Sequence, residues 1–203
     1  MNEQLPSALL NSLNGLNGFN REAFEQVHYS GEQITSVRIN PAKMNTWPAA
    51  WSSRIPWTQH GYYLSSRPSF TFDPLFHAGT YYVQEASSMF IEQAFRQLTD
   101  LSAPLKVLDL CAAPGGKSTH IQSLINNDSL LVSNETIRAR ATVLKENSIK
   151  WGGDNVVVTN NDPSHFAKMP GYFDVIVIDA PCSGSGLFRR DPELISEWSD
   201  LSS

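Results

Sequence analysis

Apolar and polar positions follow two different rhythms along this chain, and the change comes near its middle. In the first third the apolar groups are short and broken. Residues 6–16 form a leucine-containing helical stretch stopped by Gly15 and Gly18. Asn20 stands where it caps a second helix, Arg21–Tyr29, with Phe24, Val27 and His28 on its inner face. Residues 35–41 alternate as a strand does, Val37 and Ile39 facing one way and Arg38 the other, and Pro41 closes the run. The prolines Pro41, Pro48, Pro56, Pro68 and Pro74, with Trp47, Trp51 and Trp57 among them, favour short strands and turns over long helices. Those aromatics need burial, so the segment reads as a small α+β unit and not as a linker. From Gly79 the chain leads into a helix ending at Leu98, with Ala86, Met89, Phe90, Ala94 and Leu98 at helical spacing.

Past residue 104 the rhythm becomes regular. Apolar runs at 105–110, 130–134, 155–159 and 173–178 alternate with helical segments at about 117–125 and 136–150. In the second helix Ile137, Ala141 and Leu144 fall inward, while Arg138, Arg140, Lys145 and Lys150 fall outward. Strands alternating with helices predict an α/β domain with a parallel sheet. The strand ends carry Cys111, Glu135, Asp162 and Asp179, and in a parallel sheet those ends share the edge where ligands bind. The boundary between the two parts is placed near residue 78, giving domains 1–77 and 78–203.

Composition narrows the class. A hydrophobic content of 41% and a charged content of 17% are those of an ordinary globular protein. No apolar run reaches membrane-spanning length and no leader pattern opens the chain, so a cytoplasmic location is the default expectation. Cys111 and Cys182 have no CxxC neighbours and the five histidines are scattered, which argues against a metal site. The net charge of −5 lacks the basic footprint of a nucleic-acid binder, so any RNA contact must use a local patch.

The turn Cys111-Ala112-Ala113-Pro114-Gly115-Gly116-Lys117 carries the chemistry. Gly115 and Gly116 let backbone approach a ligand, and the free N–H groups of the following helix favour an anionic group. An ordinary strand-to-helix turn is the bland alternative. Gly116-Lys117-Ser118 supplies half of a P-loop, with Asp179 as its magnesium-binding acid, but Cys111 stands where the first glycine belongs. No G-x-G-x-x-G is present. S-adenosylmethionine needs a close turn for its methionine end and an acid for its ribose, and Glu135 lies 19 residues beyond Gly116. The missing glycine and this acid favour S-adenosylmethionine over a P-loop nucleotide. Further on, Asp179-Ala180-Pro181-Cys182 puts a thiol beside the strand-end acid. A thiol suits methylation of cytosine C5, because addition at C6 makes that carbon nucleophilic. The base must then be unpaired or flipped.

Five stretches carry a resemblance. They are residues 36–43 (Ser-Val-Arg-Ile-Asn-Pro-Ala-Lys), 79–88 (Gly-Thr-Tyr-Tyr-Val-Gln-Glu-Ala-Ser-Ser), 108–117, Asn134-Glu135 and 179–186. With them the chain resembles the RNA (cytosine-5) methyltransferases of the Nop/Sun type, above all the bacterial RsmF-like branch that modifies ribosomal RNA. The resemblance implies a Rossmann-like S-adenosylmethionine-dependent fold, incomplete at its C-terminal end, behind a small α+β domain with possible RNA contact. It implies that residues Cys111 to Lys117 wrap the methionine part, Glu135 holds the ribose and Asp162 reads the adenine. Asp179 would lie between donor and target base, and Cys182 would assist product release. The family's nucleophile is a second cysteine in a later Thr-Cys motif, which does not occur before Ser203. The chain therefore reads as the front part of such an enzyme, inactive alone and able to self-associate through an unpaired edge of the strand at 173–178. A P-loop-like NTPase and a non-catalytic RNA-binding fragment are the alternatives.

Overall fold

The computed structural model describes residues 4–44, 51–182 and 184–198, so Trp47, Pro48 and Ser183 lie outside the described residues. The chain divides into a larger unit, Thr35–Asp179, and a smaller one made of the residues before Thr35 and those from Ala180 onward.

In the smaller unit, α1 (Ser7–Leu13) and α2 (Arg21–Tyr29) are the two expected helices. Asn20 caps α2 through its side-chain oxygen, which accepts from the Ala23 N–H at 2.9 Å. Leu5, Leu9, Leu10 and Phe188 form the core, with Phe24, Leu194, Ile195 and Trp198 packed against it. Val27, expected inward, is 48% exposed. A nine-residue helix packed along one edge buries a narrow stripe, and here that stripe runs through Phe24 and His28.

The larger unit holds two sheets. The first is antiparallel, with strands β1 (Thr35–Ile39), β2 (Trp51–Arg54), β3 (Gly61–Leu64) and β4 (Tyr81–Val83) in the order β2-β3-β1-β4. Val37, Ile39, Tyr62 and Tyr81 are buried on one face, with Trp51, Phe70 and Phe76 against them. β1 is buried on both faces, and Arg38 is 1% exposed where alternation alone suggested a polar outer side. A short helix, α3 (Pro74–His77), starts from the Asp73 cap, and the sheet runs past it to Val83.

The segment up to residue 98 departs from expectation. It contributes strand β4, then a 3-10 turn at Ser87–Phe90, and only then helix α4 (Ile91–Leu98). Phe90 and Leu98 are 58% and 81% exposed and Ala94 is exposed, whereas Glu92 and Phe95 face inward. A 3-10 turn advances about 120° per residue and not 100°, so a helical phase read from Ala86 and Met89 slips before α4 begins. Glu92 is buried because it is fully served. Its carboxylate accepts from Thr58 Oγ1 (2.6 Å), Arg96 Nε (2.8 Å), His120 Nε2 (3.1 Å) and the Gln59 N–H (3.2 Å). Burial pushes this carboxyl up, but the hydrogen bonds outweigh it and hold it at about 2. Burial pushes the His120 imidazole down to about 4, so it sits there neutral.

The second sheet is parallel: β5 (Lys106–Asp109), β6 (Leu130–Asn134), β7 (Val156–Thr159) and β8 (Val175–Val177), in the order β7-β6-β5-β8. Helices α5 (Gly116–Leu124) and α6 (Arg138–Trp151) make the crossovers. Val107, Leu131, Ile121, Ile125 and Phe95 form its core. The four strands are those the apolar runs predicted. Ile137, expected inward, is 54% exposed, because it is the extended cap residue before α6 and not part of its first turn. Ala141 and Leu144 are buried as expected. Among the described residues no helix is long and apolar enough to cross a membrane.

Gly79, just before β4, lies against the end of α6. Its φ is +70°, and a Cβ there would stand 1.9 Å from the Lys150 carbonyl oxygen at the end of α6. Gly79→Ala is expected to lose about 3 kcal/mol or more of unfolding free energy, from left-handed strain plus this backbone clash. Urea denaturation of the two proteins measures it, and a loss below about 1 kcal/mol would contradict the packing described.

Candidate functional site

β5 delivers the turn at 110–116 to the C-terminal edge of the parallel sheet, and α5 leaves from it. Gly115 takes φ +112° as the cap residue of α5, a conformation that glycine adopts without strain, and no side chain caps the helix. The first-turn N–H groups are therefore directed at the space before the helix. The turn is braced from α6: Arg140 Nη2 donates to the Ala113 carbonyl and Asn147 Nδ2 to the Pro114 carbonyl, both at 2.8 Å. Arg140 is thus more than part of a solvated basic face.

A cavity of about 190 Å³ opens beside this turn. It is lined by Cys111, Ala112, Ala113, Pro114, Gly116 and Lys117 from the turn, by Tyr82 to Glu85 with Ser88 from the β4 segment, and by Asp179. Lys117 Nζ donates to Asp179 Oδ2 at 2.6 Å, linking the first turn of α5 to the end of the fourth parallel strand. Below them Asp109, fully buried, accepts from Ser118 Oγ at 2.6 Å through Oδ2, while Oδ1 has no partner. Burial, then the negative charge of Asp179, push its carboxyl up to about 6 against the pull of Ser118 and Lys117. Burial also pushes the Cys111 thiol up, with Glu135, Asp109 and Asp179 adding to it. A thiol held protonated in this way is a wall residue and not an attacking group.

Of the residues singled out in the sequence, the structure gathers Cys111, Ala112, Ala113, Pro114, Gly116, Lys117 and Asp179 around one cavity, with Gly115 shaping the turn. Glu135 is 3% exposed and outside the cavity wall. Its Oε1 accepts from the Ile137 N–H at 2.9 Å, capping α6, and Oε2 lies 3.5 Å from Arg140 Nη1. Asp162 is exposed and accepts from the Ser164 N–H (2.9 Å) and Oγ (2.6 Å), and those bonds hold its carboxyl low. Cys182 is an exposed free thiol in the smaller unit, three residues along the chain from Asp179. No group of three metal-ligating side chains occurs among the described residues.

Asp109, Tyr82, Gln84 and Ser88 were not singled out as site residues in the sequence. Asp109 was visible as the one acid inside the apolar run 105–110. The Tyr82–Gln84 wall needed β4, which the misread phase concealed.

The arrangement fits a zwitterionic nucleoside donor better than a P-loop nucleotide. A P-loop presents its serine hydroxyl to a magnesium ion. Here Ser118 is 1% exposed and its hydroxyl is spent on Asp109. The uncapped start of α5 suits the anionic end of such a ligand, and Asp179 in the cavity wall suits its cationic end.

A family model described as 16S rRNA methyltransferase RsmB/F matches residues 98–200, and one for the N-terminal domain of 16S rRNA methyltransferase RsmF matches residues 5–86. The chain belongs to the RsmB/F family, in its bacterial RsmF branch. Ribosomal RNA small subunit methyltransferase F of Pectobacterium atrosepticum is 38% identical over 182 residues, which is 82% of this chain and 37% of that protein. Its counterpart in Escherichia coli strain K12 is 37% identical over 178 residues, 81% of this chain and 36% of that one. The chain thus spans little more than a third of the length of these relatives. A crystallised methyltransferase homolog from Pyrococcus horikoshii superposes with a TM-score of 0.64 at 26% identity, covering 93% of this chain and 68% of that chain. NSun6 from P. horikoshii shares the fold, with a TM-score of 0.66 at 16% identity over 88% of this chain and 71% of that one. The α/β fold with a Rossmann-like parallel sheet is that of S-adenosylmethionine-dependent methyltransferases.

Asp109 gives this site a pH signature. Its carboxyl is higher in the folded protein than in the unfolded chain, so folding binds a proton between about pH 4 and 6, and stability falls as pH rises through that window. Asp109→Asn is expected to gain about 2–3 kcal/mol more over wild type at pH 7.5 than at pH 4. Urea midpoints at the two pH values check this, and a pH-independent difference would show that Asp109 ionises normally.

Proposed function

We propose that this chain forms the donor-binding part of an S-adenosylmethionine-dependent RNA cytosine-C5 methyltransferase acting on ribosomal RNA in the cytoplasm. The observation that carries the reading is the cavity between the Cys111–Lys117 turn and Tyr82–Ser88, closed by the Lys117–Asp179 ion pair at the sheet edge. Family membership supports the reaction class and the RNA substrate.

When bound, the donor supplies an electrophilic methyl group, and the chain's own residues bind and orient it. The turn and the first-turn amides of α5 receive the methionine end. Glu135, rigid because its other oxygen caps α6, offers Oε2 to the ribose diol. Asp162 serves the adenine. Asp179, held by Lys117, sits where donor and target base meet and orients the base. Cys182 takes part in thiol chemistry at cytosine C6, in the product-release role that the family assigns to the Pro-Cys cysteine. The amino-terminal part, placed at 1–77, contacts RNA.

Calorimetry tests the donor assignment. The chain is expected to bind S-adenosylhomocysteine and not ATP with magnesium, and the reverse result would end this reading. Glu135→Ala is expected to weaken S-adenosylhomocysteine by about 1–3 kcal/mol, the cost of leaving ribose hydroxyls without a charged acceptor. An unchanged dissociation constant on folded protein would remove Glu135 from the site.

A further inference from the structure

Arg38 is the largest fully buried side chain of the larger unit, and no carboxylate pairs with it among its hydrogen bonds. Nε donates to Gln84 Oε1 at 2.9 Å. Nη2 donates to Thr119 Oγ1 at 2.6 Å and to the Gly116 carbonyl at 3.2 Å, and Nη1 reaches the Thr119 carbonyl at 3.4 Å. The guanidinium lies over the Trp151 ring, 4.3 Å from its centroid. Burying a cation with no carboxylate in hydrogen-bonding contact is costly, and its pKa is lowered by burial to about 9 although Tyr82 and Glu92 pull it up.

What the guanidinium holds is specific. Gln84 and Gly116 both line the donor cavity with the Gln84 amide packed against Gly116, and Gly116 is the first residue of α5. Arginine has no acceptor, so the Gln84 amide is fixed with its oxygen toward Arg38. The neighbouring polar residues of the same stretch reinforce the arrangement. Asn40 Nδ2 donates to the Trp151 carbonyl at 2.8 Å, and Lys43 Nζ to the Lys150 carbonyl at 2.7 Å, closing the end of α6 that carries the stacking ring. Apolar packing alone would hold these elements together without fixing the angle at which α5 starts. A rigid planar fork with donors on three sides does fix it.

We infer that Arg38 is a positioning residue for the donor site: its guanidinium sets the spacing between the Gln84 wall and the Gly116 turn, and so the aim of the first-turn amides of α5. The inference rests on the donor reading above and adds to it a residue that touches no substrate. It also gives the polar side of β1 a task, where burial otherwise penalises it.

The experiment uses the chain with S-adenosylhomocysteine as the probe. Arg38→Lys keeps the charge but cannot bond Gln84, Gly116 and Thr119 together. On protein shown by circular dichroism to be folded, its dissociation constant is expected to rise at least tenfold. Amide exchange should quicken at residues 116–119 and remain unchanged in β6. Binding within twofold of wild type by folded Arg38→Lys would overturn the inference and leave the donor reading standing. Failure of the wild-type chain to bind S-adenosylhomocysteine would overturn both. If Arg38→Lys does not fold, Arg38→Ala with millimolar guanidinium decides. Recovery of affinity with guanidinium, and not with methylammonium, supports the positioning role. Recovery of fold without affinity, or no recovery of either, overturns it.

Discussion

The pairing of β5 between β6 and β8 is the constraint on which this site depends. Parallel strands in register finish on one edge, so the pairs Asp109 with Ser133 and Asp109 with Val177 put three connecting loops side by side. The turn after β5 leaves from the centre of that edge, where neighbours on both sides prevent it from moving. Glu135 and Asp179 then belong to the flanking loops as a matter of geometry. The remaining contacts, from Arg140 and Asn147 in α6 and from Tyr82 and Gln84 in β4, adjust a turn whose place the sheet has already determined.

Electrostatics decides which of the clustered groups can do what. Three acids and a thiol stand near one another with one nearby lysine. The balance raises the Asp109 carboxyl to about 6 and pushes the Cys111 thiol up, while Asp179 pairs with Lys117. Burial is the leading cause of both shifts and the neighbouring acids add to it, so the site resists holding further negative charge. Elsewhere the molecule buries charge only under full hydrogen bonding, as at Glu92.

The parallel half of the chain was legible in its sequence because each signal there is local. Apolar runs of strand length, broken by glycine and asparagine, name β5 to β8 directly, and Gly115–Gly116 names the turn. Ile137 and the face of α4 were misjudged for a common reason. Periodicity gives the phase of a helix only if its first residue is known, and caps or 3-10 turns shift that residue. The burial of Arg38 was not legible, because alternation distinguishes two faces of a strand but not what covers the second one. The cover, Trp151 and Thr119, lies far along the chain, and a sequence pattern within β1 carries no trace of it.

That distance has a bearing on synthesis. Arg38 meets Thr119 across 81 positions, Lys43 meets Lys150 across 107, and Asn40 meets Trp151 across 111. Contacts so remote in sequence carry a large loop-closure cost and form late. During translation β1 emerges with its charged side exposed, and it stays so while roughly a hundred further residues are added at about 5–20 per second. The ladder of the antiparallel sheet pairs only residues within 35–83, but the cover over its guanidinium becomes available only when α6 is complete.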